Sequence, residues 1–263
     1  MIKAMRTAAS GMVAQQMNVD NIANNLANVN TTGYKRTKIE FQDVLYQNLR
    51  RAGAATSVST VAPTDLAIGY GARAVATVRD FGPGDLMLTG NALDLAISGD
   101  GFFQILTPDG TMAYSRDGAF KISADGRIVT SDGFFLEPDI TIPQDASQIS
   151  VGLDGEVTVL LVGSDEPQSL GQIELARFIN PAGLRAVGHN LLVTSVASGL
   201  PIVGVPGQDG LGKIDQGALE VSSVQVVDEM VNMIIAQRAY EINSKAIQTS
   251  EEMAQIANNL KRS

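Results

Sequence analysis

Few side chains in this chain could do chemistry, and their spacing argues against most chemistries. His189 is the only histidine and there is no cysteine. A thiolate nucleophile, a disulfide and a Cys-based metal site are therefore excluded. A lone histidine cannot build a His-rich metal site. It could serve a Ser-His-Asp arrangement, but no G-x-S-x-G motif accompanies it. The bland reading of His189 is a surface or strand-end residue. Gly69-Tyr70-Gly71-Ala72-Arg73-Ala74 loosely echoes a dinucleotide loop, but no long strand precedes it and no helix follows, so it reads as a loop. Asp165 and Glu166 sit beside Pro167 in a turn and do not define a catalytic pair. Catalytic, cofactor and metal assignments are thus all none.

One acidic pattern is regular. Asp-Gly pairs begin at Asp100, Asp109, Asp117, Asp125 and Asp132, with further pairs at Asp154 and Asp209. A calcium loop of the EF-hand type needs acidic ligands at alternate positions and a late Glu, and no segment supplies both. The pairs read as turns. Asp-Gly supplies the positive φ that tight hairpins use, and short apolar runs such as Phe102–Leu106 and Arg127–Thr130 lie between them. From about residue 73 the chain therefore reads as short antiparallel strands in a compact sandwich or barrel-like domain.

The two ends differ from this middle. Met5, Met12, Val19 and Leu26 recur every seven residues, with Ala8, Ile22 and Val29 three after members of that set. This is a coiled-coil-like seam. Asn18, Asn21, Asn25 and Asn28 form a second stripe. Asn competes for the backbone and is a poor helix former, so the stripe is either a solvated face or is bonded to neighbouring helices. Thr31-Thr32-Gly33 ends this helix, with Gly33 suited to a left-handed cap. At the other end Ala239, Ala246, Met253 and Leu260 are spaced by seven, interleaved with Ile235, Ile242, Thr249 and Ile256. A further stripe runs through Val226, Met230, Met233, Tyr240 and Ile247. A helix apolar on more than one side is covered on more than one side. A core helix of a monomer is one way to do this, and a multi-helix tube is another.

The expected architecture is α+β. Residues 1–33 and 223–263 form paired long terminal helices, residues 34–72 an extended linker or arm, and residues 73–222 a central antiparallel β-rich domain. Within the linker, 52–68 is rich in Ala, Ser and Thr, and lies along something if it is not idle.

Composition bounds the partners. The 263-residue chain carries 28 acidic and 19 basic residues, a net charge of −9. That opposes nucleic-acid binding, which needs clustered cations. Residues 1–51 hold seven basic and three acidic residues, a net +4, so the remainder carries −13. A basic arm on an acidic protein can meet an acidic surface, including another copy. No run approaches the ~20 apolar residues of a membrane span, and the N-terminus lacks the apolar core of a secretory signal. A catalytic β-domain with helical extensions and a surface fibre are competing classes. The first lacks a titratable constellation, and the second would normally carry a signal peptide.

Specific segments carry a resemblance. Asn21–Arg36, NIANNLANVNTTGYKR, resembles the N-terminal motif of bacterial flagellar rod and hook proteins. Glu229–Lys245, EMVNMIIAQRAYEINSK, resembles their C-terminal motif. Asn91–Ile105, with Tyr114–Gly118 and Asp132–Phe134, resembles the β domain of the longer members. Length and the 52–68 insertion resemble the distal part of the rod more than the half-length proximal members or the longer hook protein. A last proximal rod protein and a hook-type subunit remain alternatives.

The resemblance implies a motility protein that self-assembles into a rigid helical tube. The tube surrounds the export channel and passes motor torque to the hook. It implies terminal helices inside, β domains outside and a stiffening arm. Implied partners are further copies of the chain, proximal rod proteins, hook protein, ring proteins and the type III export apparatus, with no nucleic acid and no membrane insertion. The implied location is the rod within the periplasmic space, reached without a cleaved signal. The residues expected to pack between subunits are Met5, Met12, Val19, Asn21, Ile22, Asn25, Leu26, Asn28, Met233, Ile235, Ala239, Tyr240, Ile242, Ala246, Met253 and Ile256.

Overall fold

The computed structural model describes residues 2–53, 63–163 and 166–260. Asp165 and most of the 52–68 insertion, residues 54–62, lie outside the described residues. The chain divides into two compact units. One comprises residues 1–26, 37–78 and 225–263, and the other residues 27–36 and 79–224.

The first unit holds two helices and a β ribbon. Helix α1 spans Ile2–Ala27; helix α2 spans Val226–Leu260. Asp228 and Glu229 lie in the first turn of α2, where carboxylates complement the helix dipole. Helix α1 stops at Ala27, earlier than the expected Gly33. Gly33 does adopt the left-handed conformation, φ +65°, but six residues beyond the helix, where it serves the other unit.

The linker is not a featureless arm. Thr37–Asp43 pairs with Ala72–Arg79, and Tyr46–Arg50 pairs antiparallel with Leu66–Gly69, Tyr46 opposite Gly69. Val44 N–H to Gly71 O (2.9 Å) and Tyr70 N–H to Leu45 O (3.2 Å) join the two ladders. The strand at 74–78, read from sequence as the start of the β domain, is therefore the return arm of this ribbon. Phe41, Tyr46 and Leu49 in these strands are residue types that favour a pleated ribbon.

The β unit is built around Phe102–Leu106. This strand pairs with Met112–Ser115 (Phe103 opposite Ser115), with Phe135–Glu137 and with Leu175–Arg177, within a nine-stranded sheet. Successive side chains point to opposite faces. Phe103 and Ile105 enter the main core with Leu95, Phe120, Leu136 and Ile214. Phe102 enters a smaller cluster with Tyr114 and Phe178. Phe103 meets Phe120 edge-to-face at 5.1 Å and Tyr114 meets Phe178 at 4.8 Å, a favoured aromatic geometry. A three-stranded meander, Ala146–Val151, Glu156–Leu161 and Gln168–Gln172, completes the unit.

The Asp-Gly pairs at 109, 125, 132, 154 and 209 are turns, but of a different kind from the one expected, and those at 100 and 117 are not turns. A type I′ hairpin needs positive φ at both central residues. Among the described Asp residues only Asp209 has it. At Gly110, Gly126, Gly133 and Gly155 the glycine N–H bonds the carbonyl three residues back. The glycine thus ends the turn in the left-handed region, as in a type I turn followed by a bulge. The two-residue hairpin with both central φ positive is His189–Asn190, φ 53° and 57°, between Arg185–Gly188 and Leu191–Val193.

Candidate assembly interface

In the helical unit α1 and α2 run antiparallel. Asn25 Nδ2 donates to Glu229 Oε2 at 3.3 Å, and a Cβ on Gly11 would sit 3.0 Å from Asn243 Nδ2. Moving back from residue 25 to 11 on one helix matches moving forward from 229 to 243 on the other. Gly11 allows that close approach. The register leaves the end of α2 unaccompanied, and residues 251–260 are all exposed.

What lies inside and outside this pair is unusual. Among the described residues the buried ones are small or polar: Ala8, Ala14, Asn25, Glu229, Ala236 and Ser250, with Ile22 the one large apolar member. Large apolar side chains point outward. Exposure reaches 60% at Ile235, 67% at Ile242, 60% at Ile256 and 73% at Leu260, and Val13, Met17, Tyr240 and Met253 are exposed too. On the expected seams, Met5, Met12, Val19 and Leu26 are half-buried, as are Met233 and Ala239, while Ala246 is exposed. Val19 and Tyr240 line one hollow between the helices. Each of the exposed isoleucines would gain roughly 1–2 kcal/mol from burial.

The asparagine stripe has a partner that the sequence did not reveal. Thr37 N–H donates to Asn25 Oδ1 (3.0 Å), while Asn25 Nδ2 donates to Thr37 O (2.9 Å). The side-chain amide pairs with one peptide unit as a neighbouring strand would. Asn21 Nδ2 also donates to Thr37 O (2.8 Å), and Thr37 Oγ1 donates to Asn21 Oδ1 (2.6 Å). Asn28 Oδ1 accepts from Thr31 Oγ1 at 3.2 Å. Asn21 and Asn25 thus dock the ribbon of their own chain.

The β unit contains a buried charge network around the segment after α1. Lys35 Nζ donates to Glu220 Oε1 (2.6 Å) and to Gly82 O (2.7 Å). Gly84 N–H reaches the same carboxylate oxygen at 2.7 Å. Arg116 Nη1 lies 3.6 Å from Glu220 Oε2, and its guanidinium donates to Ile97 O (3.2 Å) and Gly99 O (2.6 Å). Burial lowers the pKa of Lys35, opposed by its hydrogen bond and charge attraction to Glu220, and burial likewise lowers that of Arg116. Gly33 N–H donates to Glu220 O at 2.8 Å. A Cβ on Gly33 would lie 2.6 Å from the backbone of Arg116 and Asp117, so only glycine fits there. Thr32 Oγ1 donates to Asp117 Oδ1 at 2.7 Å. The Thr-Thr-Gly-Tyr-Lys-Arg motif is therefore a polar latch into the β unit. Glu220 and Thr37 carry no pattern that marks them in the sequence.

Two long helices from the chain ends accompany a β body, and three family matches carry the class, that of flagellar axial proteins. Residues 5–35 match the family described as flagella basal body rod protein. Residues 96–159 match the D1 domain of flagellar hook protein FlgE/F/G, and residues 215–260 match the flagellar basal body rod FlgEFG C-terminal family. The chain is 53% identical to the flagellar basal-body rod protein FlgG of Borreliella burgdorferi over 264 residues, covering all of both chains. It is 46% identical to the FlgG of Caulobacter vibrioides, covering 99% of this chain and 100% of that one. It is 38% identical to the FlgG of Bacillus subtilis, with both chains fully covered. The chain belongs to this family of flagellar basal-body rod proteins and is a structural subunit of the flagellar basal body.

Proposed function

We propose that the chain polymerises into the distal rod, a rigid helical tube that surrounds an export channel and passes motor torque to the hook. The terminal helices line the tube through contacts between copies, and the β units lie outside. The subunit works without catalysis or cofactor. It meets the proximal rod at one end, hook protein at the other and ring proteins around it. It reaches the periplasmic part of the basal body through the flagellar export apparatus, without cleavage.

The observation that supports this reading is the exposure of Ile235 and Ile242 on a helix whose own partner covers a different face, a row that Ile256 and Leu260 continue beyond the partner's end. A monomer that left this row in water would forgo several kcal/mol of burial. Met253 and Tyr240, with Val13 and Met17 on α1, extend the surface. Asn21 and Asn25 act indirectly, by holding the ribbon against α1.

Ile242→Asp tests the reading. A carboxylate in a dry contact costs several kcal/mol per copy, repeated in every subunit. The expected outcome is no polymer by sedimentation or electron microscopy and no motility, with the thermal transition of the β unit retained. Ordered rods assembled from this variant would show that the row faces solvent in the polymer and would overturn the proposed packing.

A further inference from the structure

The β unit contains a cleft that the helix-based assembly does not use. It has a volume of about 230 Å³ and is lined by Lys35, Arg79, Arg116, Tyr34, His189 and Asn190, among others. Three permanent cations line it and no carboxylate does. Glu220, beneath, supplies one negative charge to both Lys35 and Arg116. Asp132 and Asp117 flank the cleft without lining it, Asp132 against His189 (3.1 Å) and Asp117 against Thr32 and Asn190, while Asp80 and Asp100 add weaker attraction to Lys35 and Arg116. Arg79 is half-buried and its side chain makes no hydrogen bond or ion pair among the described residues. A half-buried guanidinium without a partner forfeits both hydration and charge-assisted bonds. The left-handed His189–Asn190 turn places imidazole and amide beside it.

We propose that this cleft is a carboxylate site and that its occupant is an acidic side chain of a second copy of this chain. Charge complementarity selects the occupant. The protein carries nine more acidic than basic residues, so a neighbouring copy brings an excess of carboxylates to a cationic cleft. Guanidinium binds carboxylate through two parallel hydrogen bonds, and Arg79 has all its donors available. Lys35 and Arg116, held by Glu220 and by backbone carbonyls, supply fixed field rather than a grip. The inference rests on the proposed self-assembly, and adds to it a polar contact made by the β units.

His189 is the sole histidine, so its imidazole proton resonances report this cleft without assignment. The test uses full-length protein at fixed pH, titrated with succinate against sodium chloride of equal ionic strength. Wild type should show a saturable His189 shift with succinate, and Arg79→Gln should weaken that binding about ten- to a hundredfold, the loss of a charge-assisted contact. In the absence of succinate, raising the protein concentration should move the same resonance in wild type and not in Arg79→Gln. An unshifted His189, or equal succinate affinity in the variant, would overturn the site. A resonance that answers succinate but not protein concentration would overturn the second-copy occupant. Sedimentation of the same samples keeps the two readings apart: polymer that forms while His189 stays unmoved refutes this contact and leaves the rod assignment standing. Because Arg79 has no intramolecular partner, the variant should keep the wild-type thermal transition, and loss of that transition would show Arg79 to be structural and would also overturn the proposal.

Discussion

Phe103 and Ile105 are fully buried within the β unit, whereas Ile235 and Ile242 on α2 keep 60% or more of their surface exposed. Both pairs are large apolar side chains on regular elements, but only the first is enclosed by its own chain. The β unit has a core of its own, with aromatic edge-to-face contacts and a buried charge network. The helical unit buries mainly Ala, Ser, Asn and Glu, with Ile22, and leaves many of its larger side chains outside. Helix propensity alone holds helices weakly, and most helical stability comes from packing an apolar face. The β unit should therefore be stable in the monomer, while the helical unit should gain most of its stability on assembly.

The sharpest way to break that contrast is to damage the self-contained side. Phe103→Ala removes a fully buried ring from the main core and should cost about 3–5 kcal/mol. In monomeric protein the thermal transition of the β unit should fall steeply, while helical circular dichroism changes little. A parallel loss of helix signal would show that the two units unfold as one and would defeat the comparison.

The charge network offers the next effect. Glu220→Gln keeps the shape but takes from buried Lys35 and Arg116 their nearest counter-charge, which should cost about 3 kcal/mol. Denaturant unfolding of the β unit should register the loss. A neutral result would mean that Lys35 and Arg116 are satisfied by the carbonyls of Gly82, Ile97 and Gly99 alone.

On the helical side, Asn25→Ala removes the amide that pairs with the Thr37 peptide and with Glu229. Leaving those buried groups unbonded should cost roughly 1–3 kcal/mol. The readout is faster amide exchange at Thr37 and in the second half of α1, with the β unit's exchange unchanged. Wild-type protection at Thr37 would show the ribbon to be held by other means.

The sequence foretold the elements whose period is long and regular. Sevenfold spacing from Met5 to Leu26 and from Ala239 to Leu260 announced both helices. The ribbon at 37–50 and 66–79 was illegible because its pairing is non-local and its strands carry polar residues such as Gln42 and Asn48. The asparagine stripe was visible as a pattern, but its partner is a peptide unit at Thr37, and backbone carries no residue signature. Glu220 looks like any surface glutamate until the fold brings Lys35 and Arg116 to it across long sequence separations. The distinct role of His189 was hidden for a related reason. A type I′ turn is usually announced by Gly at a central position, and here His and Asn hold both.

The smallest expected effect lies in the β unit and concerns pH. Burial raises the pKa of the Tyr114 hydroxyl above 10.0, its ordinary value. A phenol whose folded pKa is raised contributes stability that is fully present below pH 10.0 and is lost as pH rises through the folded value, because the unfolded chain releases its proton first. Tyr114→Phe keeps the edge-to-face contact with Phe178 and removes the titrating proton. At neutral pH the variant should match wild type to within about 1 kcal/mol. Above pH 10 the wild-type β unit should lose stability with pH more steeply than the variant, by denaturant titrations at a series of pH values. Identical slopes in the two proteins would mean that Tyr114 ionises as readily in the folded unit as in the unfolded chain, and that the small cluster with Phe102 and Phe178 opens far enough to hydrate it.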